Sequence, residues 1–374
     1  MEYDYFKDHI RRHASIYACT YCGRRSRKRA IAVPIDEIID RVREAVHAEY
    51  NDAADEPVPY ESAEGGYQLR TMSTYELMDE IGFYAGNDVL QDEIMDALPD
   101  YAWIRRAPLS LSKDEALISG WEEFSRIVKH RVRYLLFPSE ERSLFSDAVA
   151  PPVMLDALGS QINDLDLINT VPAGIALYRV RLHPPGTSYT TIGELGPPPI
   201  DATRYSNRMS PAGVSMFYAA LDPKTALAET LVRRKRRPTL VTTAQFETTE
   251  PIRVLDLVNL ASIPDFFADE EERWKRAGLI FLHDFRADFT RPVPKDGREH
   301  VEYVPTQVVT EFLRYKFRDA ADRPLQGVVY PSARRKRGIA CVLFFSHEDC
   351  TGNWEFGKPL SPPFRLLGTS SRPL

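Results

Sequence analysis

Three polar residues that could do chemistry lie where apolar segments meet turns. Arg179 falls within the segment LYRVRL, Glu229 follows TALA, and Ser332 follows a Tyr-Pro pair. A guanidinium binds anions through paired hydrogen bonds, a carboxylate stabilises nearby positive charge, and a hydroxyl donates a hydrogen bond. Each residue also has an ordinary structural explanation: an ion-pair partner, an i,i+4 salt bridge with Arg233, and a turn residue. Their interpretation therefore depends on the elements that position them.

The segment NRMSPAGVSMFYAALDPKTALAETLVR contains the elements that would position the acid. Arg208 lies in a Pro/Gly turn, and the apolar run at 214–220 predicts a buried strand. The Asp-Pro pair at 222–223 is typical of a helix start, since Asp caps free amides and Pro has no amide to lose. The helix is predicted to end near residue 235. Glu229 then lies about two turns in, near the edge of the face that turns inward.

Length and composition indicate a folded protein of two domains. The chain has 374 residues, 43% of them hydrophobic and 11% aromatic, which excludes disorder and is long for one core. A net charge of -6 argues against nucleic-acid binding driven by the overall charge of the protein. The charged N-terminus lacks the apolar stretch of a secretion signal, and no apolar run approaches the ~18 residues of a membrane span. We expect a cytoplasmic protein with no membrane association.

The secondary-structure pattern changes near the middle of the chain. Residues 1–140 are predicted to be mostly helical, and the stretch at 137–152 has the Pro, Ser and charge content of a linker. We therefore predict a helical domain at 1–150 and a mixed domain at 151–374, an α+β fold. The predicted helices are 35–48, 74–84, 87–98, 113–136, 153–167, 271–287 and 305–317. The predicted strands are 174–182, 240–246, 252–257, 327–330 and 339–345.

Taken together, the arginine, the glutamate and the serine resemble the signature of the RES family. The order and the neighbours match over about the last 200 residues. The matching positions are Tyr178-Arg179, Asn207-Arg208 with Gly213 in a turn, Phe217-Tyr218 before Glu229, and Tyr330-Pro331-Ser332. Many RES turns carry Trp after the second arginine, whereas this chain has Met209, so stacking from that position is not expected.

The first half of the chain is similar to the HEPN-type helical domain that precedes the RES domain in one branch of the family. The similar segments are WEEFSRIVKHRVR at 121–133 and the segment around Cys19 and Cys22. The resemblance implies NAD consumption on a fold related to ADP-ribosyltransferases, often in the toxin of a toxin-antitoxin pair. The implied partners are NAD, inorganic phosphate and an antitoxin or regulatory protein, and a homo-oligomer is expected.

The residues suit the chemistry that the resemblance implies. Nicotinamide leaves NAD as a neutral molecule, so the site needs no general acid and must stabilise positive charge that grows on the ribose. Glu229 is the candidate for that role, and Arg179 and Arg208 offer planar donors for the diphosphate. Ser332 would donate to a phosphate or ribose oxygen and is not predicted to be a nucleophile, because no His or Lys lies beside it in sequence.

Two tyrosines are candidate substrate-binding residues. Tyr218 and Tyr178 could stack on the nicotinamide ring or close the pocket, and a purely structural role in the core is an equal alternative for both. The chain has no GxGxxG after a strand. NAD is therefore expected to bind in an extended pose as a substrate, and no cofactor is predicted.

The sequence leaves several alternatives open. The acceptor of the ADP-ribose group could be phosphate, water or a protein side chain, the last making the protein an ADP-ribosyltransferase. The helical domain could instead be an RNA-cleaving or RNA-binding effector, with the RES domain as nucleotide sensor, since Arg41 and His47 have the spacing of HEPN ribonucleases. A polar helix face explains that pair more simply. A catalytically silent scaffold is the third alternative.

A segment with histidines and cysteines and two basic runs offer alternative functional interpretations. His9 and His13 with the pair Cys19 and Cys22 have ligand types that suit structural zinc, but the pattern is weak and no metal site is predicted. Basic runs at 233–237 and 334–337 could touch phosphates, the second as a hairpin tip. Neither has an aromatic platform beside it, so nucleic acid is not an expected partner.

Overall fold

The computed structural model of the chain describes residues 3–133, 147–231, 240–293, 297–352 and 362–373. The chain packs as two compact units. Unit 1 comprises Met1–Asp114 and Ser262–Ile280, and unit 2 comprises Glu115–Ala261 and Phe281–Leu374. Spatial packing thus divides the chain after Asp114, and unit 1 includes a segment from the second half of the sequence. The sequence-based boundary at residue 150 stays a prediction.

Helices and strands alternate along most of the described chain. The helices are α1 (Asp4–His13), α2 (Ile35–Glu49), α3 (Thr74–Glu80), α4 (Asp88–Asp96), α5 (Lys113–His130), α6 (Met154–Asp164), α7 (Ile192–Leu195), α8 (Pro223–Thr230), α9 (Glu270–Thr290), α10 (Glu299–Glu302), α11 (Val304–Glu311) and α12 (His347–Thr351). The strands are β1 (Tyr50–Asp52), β2 (Tyr60–Glu61), β3 (Gly66–Tyr67), β4 (Trp103–Arg105), β5 (Ile168–Val171), β6 (Ala176–His183), β7 (Phe217–Ala220), β8 (Leu240–Thr248), β9 (Ile252–Asp256), β10 (Gly327–Pro331), β11 (Ile339–Leu343) and β12 (Phe364–Pro373).

Unit 1 is a helical domain built on one apolar core. The inner faces of α1 to α4 meet around Phe6, Leu77, Trp103 and Phe267, all fully buried. The indole N–H of Trp103 donates to the Thr74 hydroxyl over 3.0 Å, so the polar edge of the buried ring is satisfied. A short antiparallel ladder between β1 and β4 closes the unit. The predicted helical character of the N-terminal half is confirmed.

Unit 2 is built on an eight-stranded mixed sheet. The strand order is β12-β8-β6-β7-β11-β10-β9-β5, and β9 and β10 are the parallel neighbours among otherwise antiparallel pairs. Apolar clusters form on both faces of the sheet. One contains side chains of α5, α6 and α11, and the other contains side chains beside α7 and α12. The predicted α+β fold is confirmed.

The sheet opens between β6 and β7. Strand β6 pairs with β8 along its whole length, but the register between β6 and β7 in the described residues consists of Tyr178 opposite Ala220. In that register, Tyr218 and Ala219 of β7 have no partner on β6 in the described structure. Backbone groups along this gap are therefore available to side chains or ligands.

The segment around the predicted acid folds close to expectation. The predicted strand at 214–220 forms at Phe217–Ala220, and the predicted helix forms as α8 from Pro223. Its predicted extension to residue 235, with Arg233 and the basic run at 233–237, lies outside the described residues.

Candidate active site

Glu229 is carried by α8, whose start is fixed as its sequence predicts. The Asp222 side chain accepts hydrogen bonds of 3.0 Å from the amides of Lys224 and Thr225, with Pro223 in the first turn. Ala226 of α8 packs in the small apolar cluster that covers β6. Glu229 lies on the exposed side of the helix, so its carboxylate is accessible to a ligand.

The loop between β10 and β11 brings Ser332 to Glu229. The Ser332 hydroxyl donates to Oε1 of Glu229 over 2.5 Å and accepts hydrogen bonds from the amides of Arg334 and Arg335 over 3.1 and 3.2 Å. Two donors behind the oxygen leave its proton pointing at the carboxylate. The acid and the hydroxyl, 103 residues apart in sequence, thus form one polar pair.

Arg335 clamps this loop onto the start of α8. Its Nη1 donates to both carboxylate oxygens of Asp222 over 2.9 Å and to the Thr225 hydroxyl over 3.0 Å. A Cβ at Gly338 would lie 2.5 Å from the same hydroxyl, so only glycine permits the approach. Burial alone would raise the pKa of Asp222, but hydrogen bonds from Thr225 and the charge of Arg335 outweigh it and lower the pKa. The clamp holds Ser332 against Glu229.

Arg208 lies in the predicted turn, which the structure confirms. The Asn207 amide donates to the Ser210 carbonyl over 2.8 Å, and Gly213 has a φ of +88°, which favours glycine. The Arg208 guanidinium donates to the carbonyls of Phe289 (3.1 Å) and Arg291 at the end of α9. Both Nη atoms thus donate to neutral backbone carbonyls, which leave the positive charge of Arg208 unneutralised.

Arg208 shares an electrostatic neighbourhood with Glu229. Burial lowers the pKa of Arg208, while Tyr303, Tyr330 and the charge of Glu229 oppose that shift. Burial raises the pKa of Tyr330 well above its ordinary value, and the charges of Glu229 and Tyr218 add to the effect. The charge of Glu229 thus affects the pKa of both Arg208 and Tyr330.

The two candidate tyrosines have different environments. Tyr218 is packed against the core, its hydroxyl lies 2.9 Å from the Ser210 hydroxyl, and burial raises its pKa to about 12. It therefore anchors the Arg208 turn. Tyr178 packs with the apolar cluster under α8. Met209, which takes the place of the Trp found in many RES turns, is fully buried and therefore cannot stack on a ligand.

Arg179 lies on the opposite face of β6 from Tyr178. Successive side chains of a strand alternate, and Tyr178 and Val180 both pack on the α8 side. The Arg179 guanidinium donates to the Tyr218 carbonyl over 3.2 Å, which places it across the gap between β6 and β7, and it lies 5.6 Å from the Phe217 ring centre. The structure therefore brings Glu229 and Ser332 together and leaves the third signature residue on the other side of the strand.

Arg181, which the sequence analysis did not single out, accompanies Arg179 on that face. Its Nη2 donates to the Gly196 carbonyl over 3.1 Å, and its buried Nε has no hydrogen-bond partner in the described structure. Burial and the charge of Arg181 lower the pKa of Arg179 to about 9. Two partly buried like charges destabilise one another, and an anion between them would relieve that repulsion. The i,i+2 spacing in LYRVRL was the available signal.

The HEPN-type pair in unit 1, Arg41 and His47, makes structural contacts within that unit. Arg41 is 8% exposed, and its three guanidinium nitrogens donate to the Phe267 carbonyl (2.7 Å), the Ala268 carbonyl and the Glu44 carboxylate (2.9 Å). Burial and the charges of nearby arginines lower the pKa of His47, which lies 5.2 Å from the Trp103 ring centre. The pair fixes α2 in its core.

The cysteine-histidine segment shows no metal cluster. Within the described ranges, no group of three or more His, Cys, Asp or Glu side chains could hold an ion. His9 pairs with Glu37 over 3.1 Å, and Cys19 and Cys22 are free thiols. Hydrogen bonds from the Arg24 backbone and from Cys19 lower the pKa of Cys22.

Fold and site define the class: a two-domain α+β protein with a helical N-terminal domain and a mixed domain that carries an acid-hydroxyl pair and several partly buried arginines. A family model described as HEPN/RES N-terminal domain 1 matches residues 12–142, and one described as RES domain matches residues 176–357. The chain therefore belongs to the RES-domain proteins that carry a HEPN/RES N-terminal domain. The RES domain implies a NAD-related function of the toxin type.

Other comparisons add no relative. Neither the curated proteins nor the solved structures contain a match to this chain. Among the helices in the described part of the chain, none combines the length and the apolar character needed to cross a membrane.

Proposed function

We propose that the RES domain cleaves the bond between nicotinamide and ribose in NAD. The observation that carries this proposal is the Glu229-Ser332 pair, in which a carboxylate on an exposed helix face is oriented by a hydroxyl. A carboxylate beside the ribose would stabilise the positive charge that develops as neutral nicotinamide leaves. Ser332 would hold the carboxylate in position and donate to a ribose oxygen once substrate displaces the pair.

The arginines suit the anionic half of the same substrate. Arg208 supplies positive charge near Glu229, Arg179 reaches across the gap between β6 and β7, and the Nε of Arg181 is unpaired in the described structure. A diphosphate prefers planar donors of this kind. We propose that NAD lies extended, with its nicotinamide ribose at Glu229 and its diphosphate towards Arg179.

An NAD-consuming enzyme of this type would act as a toxin or defence effector under the control of a regulatory protein. We expect its overproduction in cells to lower NAD and arrest growth. Normal growth with unchanged NAD would contradict this role.

The direct test is incubation of the purified full chain with NAD, with and without inorganic phosphate. Released nicotinamide is quantified by chromatography, and mass spectrometry identifies the product as ADP-ribose, its phosphate ester or a modified protein. Glu229→Gln, which keeps shape and removes charge, should abolish release. Glu250→Gln, at an exposed glutamate of unit 2, is the matched control and should release nicotinamide normally. Equal rates in both variants would refute the proposal.

A HEPN-type ribonuclease is the second candidate, and no observation favours it. Its catalytic arginine would need free donors, whereas each guanidinium nitrogen of Arg41 already has a protein acceptor.

A further inference from the structure

A basic hairpin occupies the segment after α1 in unit 1. The amide of Ser26 donates to the Tyr17 carbonyl over 2.9 Å, and the amide of Cys19 donates to the Arg24 carbonyl over 2.9 Å. Isolated bridges pair Ile16 with Ala32 and Ala18 with Arg25, both antiparallel. We call residues 15–32 the basic hairpin. Its backbone is therefore held in a defined conformation.

The second arm of the basic hairpin is a concentration of positive charge. Five cations occur within six residues, and all are exposed: Arg24, Arg25, Arg27, Lys28 and Arg29. Within the described structure, none of these five side chains forms a hydrogen bond or an ion pair. The protein as a whole has a net charge of -6, so this arm is a local exception. Unpaired cations at such density repel one another, and a polyanion would relieve that repulsion.

An aromatic platform lies beside the cations. Tyr17 is 55% exposed and lies on the first arm of the basic hairpin, where its carbonyl accepts from the amide of Ser26, the residue between Arg25 and Arg27. The hairpin is tied to α4, since the Tyr21 hydroxyl donates to Glu93 over 2.7 Å and Asn87 donates to the Tyr21 carbonyl. Cations that follow a backbone, with an exposed ring on which bases stack, form a surface that fits single-stranded nucleic acid.

The other described basic run differs from the basic hairpin in the pairing of its cations and in its lack of an exposed aromatic residue. In the loop at 334–337, Arg335 is bound to Asp222, and the three other cations are exposed without an exposed aromatic residue in the run. The basic hairpin has the platform whose absence argued against nucleic acid at the other runs.

We propose that the basic hairpin is a binding surface for single-stranded RNA, independent of the NAD site. Four of the five cations are arginine, whose planar fork binds phosphates and also stacks on bases. Attraction to an anionic lipid surface needs only charge and gives no reason for the Arg-rich composition or for an exposed ring in the same hairpin.

Fluorescence anisotropy with a labelled, mixed-sequence RNA 20-mer and the full chain tests the proposal. The triple variant Arg24→Gln/Arg27→Gln/Lys28→Gln should weaken binding at least tenfold. It should also reduce the slope of log affinity against log salt by about 2, since each phosphate contact on a single strand contributes about 0.7. Tyr17→Ala should weaken binding about fivefold or more, and Tyr17→Phe should restore it, because stacking needs the ring and not the hydroxyl.

The matched control is Arg334→Gln/Lys336→Gln/Arg337→Gln, which removes the same charges from the other run. It should bind RNA like the unaltered chain. Equal losses in the two triple variants would overturn the proposal, as would absence of RNA binding. Binding to phosphatidylserine vesicles without binding to RNA would overturn it in favour of a membrane surface. Unchanged thermal unfolding of each variant excludes misfolding, and NAD cleavage by the hairpin variants distinguishes failure of this proposal from failure at the NAD site.

Discussion

Two pairs of polar residues, Arg41 with His47 and Glu229 with Ser332, match family motifs in sequence, but their environments in the structure differ. Arg41 of unit 1 has every guanidinium nitrogen bound to a protein acceptor and lies 4.9 Å from the Tyr5 ring centre. Glu229 of unit 2 lies on an exposed helix face and is held by the Ser332 hydroxyl. The first pair stabilises a core, whereas the second leaves a carboxylate accessible to a ligand.

A motif residue is a better candidate for ligand binding when some of its hydrogen-bonding groups have no partner within the protein. Arg179 makes one hydrogen bond, to a backbone carbonyl, and Arg181 leaves a buried nitrogen unpaired in the described structure. A buried donor without an acceptor is costly, and a ligand that accepts from the Nε of Arg181 would remove that cost. Sequence spacing records which residues are present but not which of their donors are already used.

The largest expected effect is at the acid. Glu229→Gln should reduce the rate of nicotinamide release by at least about 10²- to 10³-fold, because the charge that opposes the developing ribose cation is lost. The measurement is kcat with saturating NAD. A reduction below tenfold would mean that the carboxylate is not part of the chemistry.

The second effect tests whether the partly buried Arg179 binds the diphosphate. Arg179→Lys should raise KM for NAD by about 10- to 100-fold with a smaller change in kcat, since a charged hydrogen bond contributes about 1.5–3 kcal/mol and Lys lacks the planar fork. Initial-rate kinetics measure both constants. An unchanged KM would show that the diphosphate does not bind on that face of β6.

A third, smaller effect tests the clamp on Ser332. Arg335→Met should lower kcat by about tenfold, because the hydroxyl loses its fixed position relative to Glu229. Replacing its exposed neighbour in Arg334→Met is the matched control and should leave kcat unchanged. Similar losses in both variants would indicate a general disturbance of the loop.

The smallest expected effect on catalysis comes from the structural pair. Arg41→Met should leave kcat for NAD unchanged below the unfolding temperature, but it should destabilise unit 1 by about 2–5 kcal/mol, since two buried carbonyls lose their donors. Thermal unfolding followed by circular dichroism measures the loss. A large fall in NAD turnover with normal stability would remove the contrast between the two pairs.

Much of the interior of the large sheet could be predicted from sequence. Strands β6 to β11 carry apolar side chains towards the cores, and each was predicted within a few residues. Both edge strands were missed. Strand β12 is mostly exposed and contains Gly, Ser and Pro, and β5 is only four residues long. An edge strand pairs on one side and buries little, so it has no strong hydrophobic pattern.

The candidate site was predictable only in part. The cap at Asp222 and the turn at Arg208 follow local rules that sequence displays. The contact between Arg335 and Asp222 joins segments 113 residues apart. It was not predicted, because Arg335 belongs to a basic run that was interpreted as a hairpin tip. The face of Arg179 depends on strand register, which a sequence without its partners does not specify.

The most direct test of the central claim is a crystal structure of Glu229→Gln in complex with NAD. We expect the nicotinamide ribose to lie within hydrogen-bond distance of Gln at that position and of Ser332, with the diphosphate at the guanidinium groups of Arg179 and Arg208. A dinucleotide bound elsewhere, with Ser332 still paired to the residue at 229 and Arg179 without an anion, would contradict it.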